Sequence, residues 1–268
     1  MLIVTDGAVD VPETLIGSAL LDRVPGEVWT GEATFAGDPG EFWEQLRRGN
    51  YPSTTPPTVS ALVAAYRHPD LVIALHVSRE LSATMARAEE AAQRVGPGVV
   101  VVDTRSLSVG AGLIVTAVHR AARRSDASES VIDLARSLPD RLHTFAIVQE
   151  VESLRRSGRS GLLPSSHLVR HHPLVLAVRG RVVFLAQPKH RGAAVDEMAR
   201  HLRRSAGTTL GAWALGHGDA ADVDAVVDHL AAALGQSPRF STPLDPTVGA
   251  HLGPDAIVVG AVTGPIDV

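Results

Sequence analysis

Short apolar runs alternate with helically spaced segments over the first half of the chain. Residues 2–5, 71–77 and 99–102 are nearly continuous apolar stretches, each bounded by polar or turn residues, as buried parallel strands are. Between them, Val59, Leu62, Val63 and Tyr66 recur at helical spacing. Pro56 or Pro57 suits the first helical turn before them, with Thr55 as the cap. Met85, Ala88, Ala92 and Val95 share the face of a second helix, which Ser82 is placed to cap. Ser106 or Ser108 starts a third helix that runs to about Arg123. Strands alternating with helices in this way predict a parallel sheet covered on both faces.

A polar break at residues 125–128 precedes a helix over 131–138, and Pro139-Asp140 closes this half. The second half reads differently. Residues 144–148, 210–215 and 256–262 are strand-like, and 175–178 and 182–186 flank Arg179-Gly180 as a hairpin. Helices are expected over 193–204 and 223–234. The predicted organisation is therefore α/β in two domains: residues 1–140 with a parallel, Rossmann-like sheet, and residues 141–268 with a mixed sheet.

Composition narrows the function classes. Hydrophobic residues at 45% and charged residues at 20% mark an ordinary globular protein. The net charge of −4, without a long basic run, argues against a nucleic-acid partner, and 4% aromatics provide few stacking surfaces. The absence of cysteine excludes disulfides and thiolate chemistry and fits a cytoplasmic location. No stretch approaches the about 18 uninterrupted apolar residues of a membrane span, and the N-terminus lacks the basic start of a signal peptide. Any lipid is expected in a pocket of the protein.

Enzymatic motifs are not visible. Gly110-Ala111-Gly112 lacks the third glycine of a dinucleotide fingerprint and falls inside a helix pattern. There is no phosphate-binding loop and no nucleophile elbow. His167, His171 and His172 invite a metal reading, but Pro173 follows and no nearby acid completes the set, so no metal and no cofactor is expected.

Six short motifs carry the chemistry instead. They are Asp6-Gly7-Ala8-Val9-Asp10-Val11-Pro12, Thr54-Thr55-Pro56-Pro57-Thr58, the stretch from Ser78 to Met85, Ser157-Gly158-Arg159, Arg191-Gly192 and the stretch from His251 to Asp255. Several lie where an apolar run stops or a helix begins, and such places expose hydroxyls and backbone N–H groups suited to a small anion. In order and spacing they resemble the DegV family of bacterial fatty-acid-binding proteins, over nearly the whole chain. The family motifs read D-S-T-A-D-x-P, T-S-Q-P-S, S-S-x-L-S-G-T-Y, a glycine-arginine motif, an arginine-glycine pair and H-x-G-P-G. This chain departs from them at Gly7, Pro56, Arg79, Ala83, Met85 and Asp255, so it reads as a divergent member.

The resemblance implies a two-domain fold that holds a long-chain fatty acid in an apolar tunnel. It places the carboxylate near Thr54, Ser78, Ser82 and His251, with Arg159 close to the head group. It further implies delivery of the bound acid to a separate fatty-acid kinase, with Arg191 at the partner contact; the protein itself would be a carrier and not an enzyme. Each residue has a plainer reading beside this one: Thr54 and Ser82 as caps, His251 in a surface turn, Arg159 and Arg191 as solvated charges. Arg79 replaces a serine that holds the carboxylate in the family. It either pairs with the acid, or fills the acid's place, or points to solvent, which is the outcome favoured for most arginines. Two other functions stay open at this stage: a diverged relative that binds another small acid or serves a regulatory partner, and a small-molecule enzyme of unrecognised type.

Overall fold

The computed structural model describes residues 1–15, 18–124, 126–148, 151–156, 158, 172–206 and 209–268. In chain order the first half contains β1 (Leu2–Asp6), β2 (Leu21–Val24), β3 (Glu27–Thr30), β4 (Ala33–Thr34), α1 (Pro39–Arg47), β5 (Ser53–Thr55), α2 (Val59–Tyr66), β6 (Val72–His76), α3 (Thr84–Val95), β7 (Val99–Asp103), α4 (Ser108–Arg123) and α5 (Ser128–Ser137). The second half contains β8 (Leu142–Ile147), α6 (Val151–Arg156), β9 (Leu174–Val178), β10 (Arg181–Ala186), α7 (Arg191–Ala206), β11 (Leu210–His217), α8 (Val223–Leu234), β12 (Ser241–Pro243), α9 (Pro246–Leu252) and β13 (Ile257–Thr263).

Three sheets result. The first is parallel throughout, in the order β2-β1-β6-β7. The second has six strands, β10-β9-β8-β13-β11-β12, antiparallel except for the β11–β12 pair. A small antiparallel sheet, β4-β3-β5, completes the set. The α/β class, the parallel first sheet and the mixed second one agree with the sequence pattern.

The apolar runs of β1, β6 and β13 are continuous because both faces of these strands are buried. On β1, Leu2 and Val4 pack with Leu62, Tyr66, Ala88 and Ala91 of α2 and α3, while Ile3 faces the cluster that contains α4. On the second sheet, Phe145, Trp213, Ile257 and Val259 pack against α7 and α8, and Ala146, Ala214 and Val258 face α4. Helix α4 thus lies between the two sheets, which explains its apolar residues all round. The two glycines dismissed as a nucleotide motif serve this packing. A Cβ on Gly110 would sit 2.1 Å from Thr144 Oγ1, and one on Gly112 would sit 1.9 Å from the Asp10 carbonyl oxygen.

Local differences from the sequence reading have local causes. Thr58, not Thr55, caps α2: its side chain accepts from Ala61 N, and Thr55 ends β5 instead. Helix α5 starts at Ser128, earlier than its apolar spacing suggests. His251 lies in the last turn of a helix, α9, and not in a surface turn. Strands β2 to β5, of two to four residues each, are too short to show an apolar period of their own, and helix α1 buries Phe42, Trp43 and Leu46 on one face. No described helix is long and apolar enough to cross a membrane.

Candidate functional site

β1 is flanked by β2 on one side and by β6 on the other, so the chain changes direction across the sheet between β1 and β6. In open α/β sheets the crevice outside the carboxyl ends of such strands is where ligands bind. Asp6 ends β1, and Val77 follows β6. Both line a pocket with Gly7, Ala8, Thr54, Thr55, Pro56, Pro57, Leu81, Ser82, Thr84, Thr247 and His251, among others. The narrow space between the lining atoms, with the open solvent at its mouth included, measures about 650 Å³. Leu81, Leu107, Leu154, Val182, Val248 and Leu252 provide its apolar wall.

The floor is rigid. The buried Asp6 carboxylate accepts from Ala8 N at 2.9 Å and Val77 N at 3.0 Å, and meets His76 Nδ1 at 2.9 Å. His76 Nε2 lies 2.6 Å from the Tyr66 hydroxyl. Burial, with the Asp6 charge second, pushes the Tyr66 pKa up, so its hydroxyl keeps its proton. Asp6 is thereby committed to the fold, although it borders the pocket.

A second buried carboxylate ties the pocket's walls together. Asp10 Oδ2 accepts from Ser108 Oγ at 2.6 Å and Oδ1 accepts from Asp245 N at 2.9 Å. Asp245 caps α9 through Thr247 N at 2.8 Å and pairs with Arg23 at 2.9 Å, while the same Arg23 nitrogen donates to Gly7 O at 3.0 Å. Burial pushes the Asp10 carboxyl up to about 7, against the lowering effect of its hydrogen bonds. The Asp10 cluster therefore anchors both the loop after β1 and the start of α9.

Of the residues singled out from the sequence, the fold brings Thr54, Ser82 and His251 to this pocket. Thr54 Oγ1 and His251 Nε2 are 2.9 Å apart. Ser82 Oγ accepts from Thr84 N at 3.1 Å and lies 2.8 Å from Thr84 Oγ1, at the positive end of α3. Ser78 is fully buried but is not part of the lining. Its hydroxyl donates to Gly180 O at 3.0 Å and accepts from Glu80 N at 3.2 Å, fastening the β9–β10 hairpin to the end of β6. Arg79 turns away: its side chain, 52% exposed, pairs with Glu89 at 2.7 Å and Asp103 at 3.1 Å.

Arg191 is 19% exposed and makes a two-point contact with Asp222, at 2.6 and 2.8 Å, and a third bond to Asp255 O at 2.6 Å. It thus holds the loop that follows His251. Arg159, His167 and His171 lie outside the described residues, among which no group of side chains is arranged to hold a metal ion. Sequence reasoning missed Thr247, Leu154 and Val182, which also line the pocket. Asp245-Pro246, a capping residue before a first-turn proline, was the available signal for α9 and hence for Thr247. The others carry no local signature.

Comparison with known proteins agrees with this architecture. The family model described as an uncharacterised protein of the DegV family matches residues 1–264. A DegV domain-containing protein of Mycobacterium tuberculosis is 29% identical over 274 residues, covering 97% of this chain and 96% of that protein. A fatty-acid-binding DegV family protein from Thermus thermophilus is 26% identical with a TM-score of 0.86, covering 98% of this chain and 99% of that one. A stearic-acid-binding protein from Eubacterium ventriosum shares the fold at 16% identity, with a TM-score of 0.87 and 98% of both chains covered. With its parallel sheet, its mixed sheet and a match along nearly its full length, the chain belongs to the DegV family.

Proposed function

We propose that this protein binds a long-chain fatty acid, with the acyl chain against Leu81, Leu107, Leu154, Val182, Val248 and Leu252 and the carboxylate toward Thr54, Ser82 and His251. The observation that carries this reading is one pocket that joins an apolar wall to the Thr54–His251 pair. The fatty-acid binding of the Thermus thermophilus relative supports it. Each buried CH₂ contributes about 0.8 kcal/mol, so the chain supplies most of the gross affinity and the polar end fixes orientation. Hydroxyls at the start of α3 and its positive dipole suit a carboxylate.

The protein supplies no chemistry in this reading. It presents the carboxylate to a separate fatty-acid kinase, which would phosphorylate it, and the surface near Arg191 takes part in that contact. One observation favours a second reading. Arg79 stands where the family has a carboxylate-holding serine, and its guanidinium is engaged by Glu89 and Asp103. A head-group site that lacks this hydroxyl suits a diverged relative that binds another small acid, or acts on a partner without delivering lipid.

Native mass spectrometry of protein purified from bacteria, followed by lipid extraction, separates the two. A co-purifying acyl chain, and a melting temperature raised by added hexadecanoic acid, are expected, because a ligand bound only to the native state stabilises it. Protein that carries no acyl chain and does not respond to the acid would overturn the fatty-acid reading.

A further inference from the structure

Two stretches of the pocket lining carry hydroxyls, and one side chain outside the lining joins them. Thr54 and Thr55 end β5 and run into Pro56 and Pro57. Ser82 and Thr84 stand at the start of α3. Arg87 lies three residues after Thr84, on the same face of that helix. Its Nη1 donates to Pro56 O at 2.7 Å and to Pro57 O at 3.0 Å. The clamp falls on the two residues between the end of β5 and the Thr58 cap of α2. Neither proline has an N–H to donate, and the small sheet that tethers Thr54 and Thr55 ends at Thr55.

We propose that Arg87 is the positioning residue of the head-group site: by bonding the Pro56 and Pro57 carbonyls it sets the span between the β5 threonines and the α3 hydroxyls, and through that span the preference for an acid over its alcohol. The inference rests on the fatty-acid reading above. Its physical basis is the narrow range of O–H···O bonds, about 2.5–3.0 Å. Groups from two elements serve one carboxylate only when both are held to about 0.5 Å. A carboxylate draws on donors from both stretches at once, whereas a terminal hydroxyl is satisfied by either stretch alone. Loss of the clamp therefore penalises the acid selectively. Arg87 touches the lining from behind and is not itself a ligand residue.

The test compares wild type, Arg87→Ala and Arg87→Lys by titration with hexadecanoic acid and hexadecanol, alongside the melting temperature of each ligand-free protein. In Arg87→Ala the acid affinity is expected to fall about tenfold with alcohol affinity unchanged, the size of one hydrogen bond to the charged carboxylate lost when a donor stretch moves. Arg87→Lys, with a single ammonium on a flexible stem, is expected to recover part of that preference. Equal losses for acid and alcohol, in whichever variant folds, would mean that Arg87 only supports the fold and would overturn the proposal. Wild-type protein that binds neither compound overturns the fatty-acid reading and the Arg87 role together. Tight wild-type binding of the acid with an unaltered acid-to-alcohol ratio in the variants overturns Arg87 alone.

Discussion

Thr54 Oγ1 lies 2.9 Å from His251 Nε2, although 197 residues separate them in sequence. One partner is the middle residue of a strand of the small sheet and the other lies in the last turn of a seven-residue helix near the end of the chain. The contact orients both side chains at the edge of the pocket, so the two are expected to act as a unit on a bound carboxylate. Thr54→Val and His251→Ala should each lower hexadecanoic-acid affinity about tenfold. The double variant should lose less than the sum of the two, because residues in one hydrogen-bonded pair are not independent. Calorimetric titration of the four proteins checks this; strictly additive losses would show that the pair does not share the ligand.

Asp10 should make the protein less stable as pH rises toward neutrality. Burial moves its carboxyl up to about 7 in the folded state, whereas a free aspartate titrates near 3.8. Between these values the unfolded chain has released a proton that the folded chain still holds. Stability contributed by Asp10 is thus fully present below the unfolded value, falls as pH rises, and levels off above about pH 7. Asp10→Asn keeps an acceptor for Asp245 N, turns an amide N–H toward the Ser108 hydroxyl in place of the oxygen that accepts from it, and carries no charge at any pH. Urea unfolding at pH 5 and pH 8 should show a smaller pH difference in Asp10→Asn than in wild type, with the variant gaining at pH 8. An identical pH difference in the two proteins would argue that Asp10 does not titrate in this range.

Arg79→Ser restores the family's residue but should change little. The side chain that it removes is half exposed and paired outward with Glu89 and Asp103. Ion pairs of this kind contribute about 0–1 kcal/mol and are screened by salt. Affinities for hexadecanoic acid and its methyl ester, measured at low and high salt, are expected to match wild type. A selective loss of acid affinity would make Arg79 a ligand residue after all.

Arg191→Ala should lower the melting temperature by several degrees, since it strips two bonds from Asp222 and one from the Asp255 carbonyl in the loop behind His251. Arg191→Lys is expected to rescue little, because an ammonium cannot reproduce the planar two-point contact. If the melting temperature holds while kinase-dependent use of the acid is lost, the role of Arg191 is at the partner surface alone.

Much of the fold was legible in the residues themselves. A strand buried on both faces must be apolar throughout, so β1 and β6 declared themselves, as did the partly buried β7, the Arg179-Gly180 hairpin and the span of helix α4. These are local consequences of burial, and any stretch carries them alone. The motifs also marked where the pocket would form, because hydroxyls at strand ends and helix starts have the same local cause. Tertiary structure decided which of them meet. Ser78 and Ser82 stand four residues apart, yet one fastens a hairpin and the other borders the pocket. Arg79 and Arg87 are both arginines beside that pocket's motif; one turns to Glu89 and Asp103, the other to two proline carbonyls. A side chain's direction depends on which acceptor the folded chain brings within about 3 Å, and that distance is set by elements far apart in sequence.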